Sequence, residues 1–166
     1  MNRKGWACIF SVMLIVLLGF SSCNKGEKNG STGKPMKNSA FRAELRIKQI
    51  PSEVKAGQKV NAIVTVKNIS DQTWPSKGDS KSYYQVDLSY RLFDEADKAL
   101  LIEGERTFLP NDLKPGESIE LPAVLKAPDN PGKYTIRFDM VQEAVAWFGH
   151  KNKDNYSKPF TISVVP

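Results

Sequence analysis

Few residues in this chain of 166 have the type and spacing to do chemistry. His150 is the only histidine, so no histidine pair can hold a metal, and a Ser-His-Asp set would need it beside an activated serine. No serine sits in a nucleophile-elbow context, and "FGHKNKDN" is a polar stretch in which a solvated imidazole is expected. Paired carboxylates for glycoside hydrolysis would have to come from scattered residues such as Asp87, Asp139 and Glu143. For these the expectation is exposed strand-face positions, paired with Lys or Arg. "DEAD" at residues 94–97 fits a hairpin turn, and Asp71 and Asp79 flank Trp74 without the ordered ligand spacing of a calcium loop. Gly-rich phosphate loops are absent. The sequence therefore predicts no catalytic residue, no metal site and no cofactor.

Binding chemistry is better represented. Trp74, Trp147 and Phe148 are aromatic residues in polar surroundings rich in Asn, Asp, Gln and Lys. Exposed rings in that setting suit the apolar faces and hydroxyls of sugars, or a groove on a partner protein. Folded inward, the same rings would seal the end of a hydrophobic core. For Trp147 the inward orientation is favoured, because a domain without a covalent staple needs the burial. Trp74, next to Pro75, divides evenly between the two.

Cysteine chemistry is confined to the first residues. Arg3 and Lys4 precede an apolar run from Trp6 to Phe20, then Ser21, Ser22 and Cys23, which is the build of a secretory signal peptide over residues 1–22. The run is shorter than the roughly 20 apolar residues of a membrane span. "LLGFSSC" resembles the lipobox of bacterial lipoproteins, with Phe20 where an aliphatic residue is usual. The resemblance implies cleavage before Cys23, lipidation of its thiol and anchoring of the chain to a membrane. Asn24, rather than aspartate, implies an outer-membrane address in a Gram-negative envelope. With Cys8 in the signal and Cys23 acylated, the mature chain would have no thiol for a disulfide, a metal or a nucleophile.

Residues 23–42 are rich in Lys, Gly, Ser and Asn and read as a flexible basic tether. The chain carries a formal charge of +6, but the excess lies in Arg3, Lys4, Lys25, Lys28, Lys34, Lys37 and Arg42. Residues 43–166 hold basic and acidic side chains in equal number. A basic segment so placed meets anionic lipid headgroups, and nucleic acid is not an expected partner.

Residues 43–166 would position these side chains as one domain whose periodicity is two. Val60, Ala62, Val64 and Val66 form one apolar face, and Tyr84, Val86, Leu88, Tyr90 and Leu92 another, set against Gln85, Asp87, Ser89 and Arg91. Ile119, Leu121, Ala123 and Leu125 repeat the pattern, as do Tyr134, Ile136, Phe138 and Met140, and then Phe160, Ile162 and Val164. "AELRIKQI" predicts an earlier strand, and "ALLIEG" and "ERTFLP" two short ones. Turn clusters at "KAGQ", "DEADK", "KPGES" and "APDNPGKY" separate the runs. Only "VQEAVAWF" could make a helical turn or two. The prediction is an all-β, antiparallel sandwich of seven to eight strands; a closed barrel would give similar alternation.

"PGKYTIRF" resembles the penultimate strand of immunoglobulin-like and fibronectin-like domains, in which a tyrosine pins the preceding corner. With "VTVKNISDQTWP", "RTFLPNDLKPGESIEL" and "DMVQEAVAWF", residues 60–150 are similar to bacterial immunoglobulin-like modules, including accessory domains of glycan-handling enzymes. They are more distantly similar to four-tryptophan immunoglobulin-like domains, although only Trp74 and Trp147 lie in the domain. In such an order the loops bearing Trp74 and Trp147 emerge at the same end. The functional expectation is a lipid-anchored, cell-envelope, non-catalytic module for protein binding or scaffolding. Two other readings stay open: a carbohydrate-binding module, and a small hydrolase with an unrecognised carboxylate site.

Overall fold

The computed structural model describes residues 33–101 and 103–166. The expected signal peptide, Cys23 and the first part of the expected tether lie outside the described residues. Alternating apolar runs become strands because each can bury one face against a second sheet. β1 (Ala43–Gln49), β3 (Lys59–Asn68) and β7 (Ser118–Lys126) form a three-stranded antiparallel sheet in the order β1-β3-β7. The facing sheet has the order β2-β10-β8-β4-β5, from β2 (Glu53–Lys55), β4 (Val86–Phe93), β5 (Ala99–Leu101), β8 (Gly132–Gln142) and β10 (Phe160–Val165). Two short strands complete it: β6 (Thr107–Phe108) pairs with β4, and β9 (Ala146–Trp147) folds back on β8.

The fold is the expected immunoglobulin-like sandwich, with ten strands rather than seven or eight among the described residues. It is mixed rather than wholly antiparallel, because β10 pairs with β2 in parallel, from Ser163 opposite Glu53 to Val165 opposite Lys55. The extra strands are the short ones, whose two or three residues leave little periodicity to read.

Between the sheets Val60, Ala62, Val64 and Val66 of β3 face Val86, Leu88, Ile136, Phe138 and Met140, all buried. Pro122 lies on β7, an edge strand, where a residue without an N–H is tolerated. The expected corner is present: the Tyr134 hydroxyl donates to the Asn130 carbonyl four residues upstream at 2.8 Å.

The boundary at residue 43 requires correction. Met36, Ala40 and Phe41 are buried in the core, so the packed unit begins inside the stretch read as tether. Two buried amides supply the backbone hydrogen bonds that a strand neighbour would otherwise give. Gln142 accepts from the Met36 N–H at 2.9 Å and donates to the Lys34 carbonyl at 3.2 Å. Asn155 accepts from the Ala43 N–H at 2.8 Å and donates to the Phe41 carbonyl at 3.0 Å. Low hydropathy hid this docking, since most of it runs through main-chain groups.

A second correction concerns β4. Its apolar alternation is as predicted, but Gln85, Asp87, Ser89 and Arg91 on the opposite face are also buried. A hairpin formed by β8 and β9, and the segment around Arg106, cover them. No helix among the described residues is long and apolar enough to cross a membrane.

Candidate functional site

The three predicted contact residues are inward. Trp74 is fully buried in the connection after β3; its main chain pairs with Leu113 and its indole N–H donates to the Ala40 carbonyl at 2.9 Å. Phe148 is fully buried and lies edge-on to Trp74 and to Phe41, with centroids 5.1 and 5.0 Å away. The two loops therefore converge as expected, but into a plug and not a platform. Trp147 is 8% exposed and sits on β9 opposite Val141, with the guanidinium of Arg91 4.5 Å and that of Arg106 4.8 Å from its ring centroid. Stacked guanidinium groups shield the indole and leave no open ring face for a sugar.

Beneath Trp147 lies an inner polar cluster. Asp139, opposite Ser89 on β4, is fully buried, and its Oδ1 accepts the Gly149 N–H at 2.9 Å. Its Oδ2 lies 3.7 Å from Arg91 Nε, a separation too long for a hydrogen bond. Burial pushes the Asp139 carboxyl up to about 7, against the opposing effects of the Gly149 N–H and the Arg91 charge. His150, on the short helix α1 (Phe148–Lys151), is exposed and places Nε2 3.2 Å from Arg91. Partial desolvation and that positive charge lower its pKa. His150 thus lies on a helical turn rather than in a loop.

Next to this cluster an outer groove of about 560 Å³ opens on the surface. Gln85 just before β4, Asp87 at its start and Gly104 line it together with Arg106 and Glu143, and Tyr83 and Phe108 are its exposed rings. Asp87 Oδ2 accepts from Gln85 Nε2 at 2.9 Å, whereas Oδ1 has no hydrogen-bond partner. Burial raises the Asp87 carboxyl to about 6, helped by the charge of Glu143 and opposed by Gln85 and Arg106. Arg106 donates to Glu143 Oε1 at 2.5 Å and to the Gly104 carbonyl at 3.0 Å. The close approach at Gly104 requires glycine, since a Cβ would come within 2.5 Å of the Tyr90 ring.

The rim is held in conformations that cost energy. Ser82, Tyr84 and Ala144 have φ of 60°, 74° and 60°, three of the four non-glycine residues with positive φ among those described. Asp79 Oδ1 accepts the N–H groups of Lys81 and Tyr83 and fixes the turn before β4. The Tyr84 N–H donates to the Glu143 carbonyl, and the Glu143 N–H to the Gln85 carbonyl, locking this turn to the β8-β9 hairpin. Such strain persists where surrounding structure determines it, most often at ligand-contacting surfaces.

The structure thus brings Asp87 and Glu143 to one groove, leaves Asp139 in the inner cluster, and buries the candidate contact residues Trp74, Trp147 and Phe148, the orientation favoured for Trp147 from the sequence. Tyr83, Phe108 and Arg106 escaped sequence reasoning. The available signal was "YYQ", where the alternation that sends Tyr84 toward one side sends Tyr83 to the other. Among the described residues, no group of three or more His, Cys, Asp or Glu is placed to hold a metal ion.

The family model described as "Ig-like domain from next to BRCA1 gene" matches residues 49–152. Among solved structures, the CARDB domain of a Pyrococcus furiosus protein is 20% identical with a TM-score of 0.43, over 74% of this chain and 94% of that one. A Listeria innocua beta-glucosidase is 17% identical with a TM-score of 0.44, over 75% of this chain and 16% of that one. The alkylpurine DNA glycosylase AlkC of Pseudomonas fluorescens is 10% identical with a TM-score of 0.41, over 74% of this chain and 29% of that one. No curated protein matches. With a family model spanning β2 to α1 and more than half of its length, the chain belongs to the family of the Ig-like domain from next to BRCA1 gene.

Proposed function

We propose that this protein is a bacterial cell-envelope lipoprotein, anchored through Cys23, whose immunoglobulin-like domain is a non-catalytic module that binds a protein partner through the groove beside Asp87. The observation that carries the binding reading is the pairing of Tyr83 and Phe108, 43% and 63% exposed, at the rim of a groove with a buried carboxylate in its floor. Exposed rings beside a polar pocket supply the aromatic anchors on which protein-binding surfaces rely. The enclosed Asp139, engaged by the Gly149 N–H, supports a structural rather than a catalytic role for that carboxylate.

A photo-crosslinking side chain placed at Phe108 in intact cells tests this function, with Leu100 of β5, also exposed, as the control position. A discrete adduct from position 108 and none from position 100 is expected. Equal, diffuse labelling from both positions would contradict it. The anchor has its own test: Cys23→Ser should move the protein from the membrane to the soluble fraction.

The same groove carries a second reading. Carboxylates and an arginine beside an exposed tyrosine also suit a glycan, and an adduct that glycosidase treatment removes would favour it.

A further inference from the structure

We infer that the groove receives a cation, the ammonium or guanidinium group of a lysine or arginine side chain on the partner protein, with Asp87 Oδ1 as its acceptor and the rings of Tyr83 and Phe108 around it. The inference rests on the binding reading above and specifies its chemistry.

Hydrogen-bond accounting carries the argument. Asp87 is completely buried, and of its two oxygens only Oδ2 is served, by Gln85. Asp87 lines the groove, and its buried Oδ1 has no donor, although a buried carboxylate oxygen ordinarily has one. Neighbouring groups do not supply it. The Arg106 guanidinium is already engaged by Glu143, by the Ser89 hydroxyl at 3.3 Å and by the Gly104 carbonyl. Glu103 and Glu143 add two more carboxylates to a groove whose cations are Lys81 and Arg106, the latter engaged by Glu143. Three carboxylates against two cations make the groove complementary to a ligand that only donates, and ammonium and guanidinium groups are donors without an acceptor.

The rim selects for charge as well. A cation within about 6 Å of an aromatic ring face is attracted by its quadrupole, and the attraction grows as water is excluded. Phe108 and Tyr83 are the exposed rings of this groove, and neither is covered by one of the chain's own cations in the way Arg91 and Arg106 cover Trp147. The Asp79 turn holds the main chain at Tyr83 in place, which reduces the ordering cost of binding. An anionic group would find no donor at Asp87 Oδ1 and would face the carboxylates of Glu103 and Glu143. A neutral sugar would satisfy Oδ1 but draw nothing from the rings' charge preference.

Titration of the full-length chain in detergent micelles, followed through the aromatic NMR signals of Tyr83 and Phe108, tests the assignment. The probes are Nα-acetyl-lysine amide, its uncharged analogue Nα-acetyl-norleucine amide, and methyl glucoside. The lysine amide should give a saturable shift, and Asp87→Asn should weaken it at least tenfold while the protein melts no lower than wild type. Phe108→Ser, an exposed substitution, should weaken it severalfold. No saturable shift, equal response to either neutral probe, or unchanged affinity in Asp87→Asn would overturn the inference. If the crosslinked adduct survives Asp87→Asn but is lost in Tyr83→Ser, the binding groove stands and the cation assignment falls. If neither change affects the adduct, the groove itself is not the site.

Discussion

The indole N–H of Trp74 donates to the carbonyl of Ala40 at 2.9 Å, so a tryptophan from the middle of the chain fastens the segment that precedes the first strand. With Phe148 and Phe41 packed edge to face around it, this contact closes one end of the sandwich. Trp74→Ala should therefore destabilise the protein by about 3–5 kcal/mol, the range for removing a buried aromatic side chain. Chemical denaturation measures it.

Asn155 makes the same closure from the other side. Its carbonyl accepts from Ala43, and its amide donates to the carbonyls of Phe41 and Phe148, at 2.8, 3.0 and 2.8 Å. Asn155→Ala leaves the buried Ala43 N–H and Phe41 carbonyl without partners, each costing about 1–3 kcal/mol, while the Phe148 carbonyl keeps the Asn152 N–H. Asn155→Asp should not rescue stability, because it turns a carboxylate oxygen toward two carbonyls. Thermal melting of the two variants checks both statements.

Gly149 has no room for a side chain. A Cβ there would lie 2.2 Å from the Tyr156 ring, while the Gly149 N–H is held by Asp139. Gly149→Ala should lower the melting temperature by more than Gly116→Ala lowers it through backbone strain alone, since nothing stands within 4 Å of a Cβ at Gly116.

The carboxyls of Asp87 and Asp139 make stability depend on pH in the direction opposite to an ion-paired carboxylate. Their folded-state values, about 6 and about 7, lie above the ordinary value of 3.8. Between about pH 4 and 7 the native state therefore holds protons that the unfolded chain has released, and stability from these groups falls as pH rises. Below pH 4 both states are protonated, and above pH 7 both are ionised. Asp139→Asn, which keeps an acceptor for Gly149, should flatten the decline between pH 5 and 7.5 relative to wild type. A variant with the wild-type slope would contradict the assignment.

How much was legible in the sequence follows from what kind of contact positions each part. Val60 to Val66, and Ile136 to Met140, bury alternate side chains, and period-two hydropathy records that choice directly. The tyrosine corner at Tyr134 is local in sequence and was read from four residues. Docking of Met36 and Ala43 runs through Gln142 and Asn155, more than a hundred residues away, and leaves no trace in composition. The polar face of β4 looked like a solvated one because Asp87, Ser89 and Arg91 have the right alternation for water. Only the fold of β9 over β8, which brings Trp147 above Arg91, shows that the face is covered. Tyr83 and Phe108, not Trp147, hold the exposed positions.

The most direct test of the central claim compares wild type with the Tyr83→Ser/Phe108→Ser double variant, measuring membrane-extracted partner co-isolation and thermal melting on the same preparations. Exposed rings contribute to contact and little to packing, so the account predicts that co-isolation is lost while the melting temperature stays close to wild type. Retained co-isolation, or loss accompanied by unfolding, would contradict it.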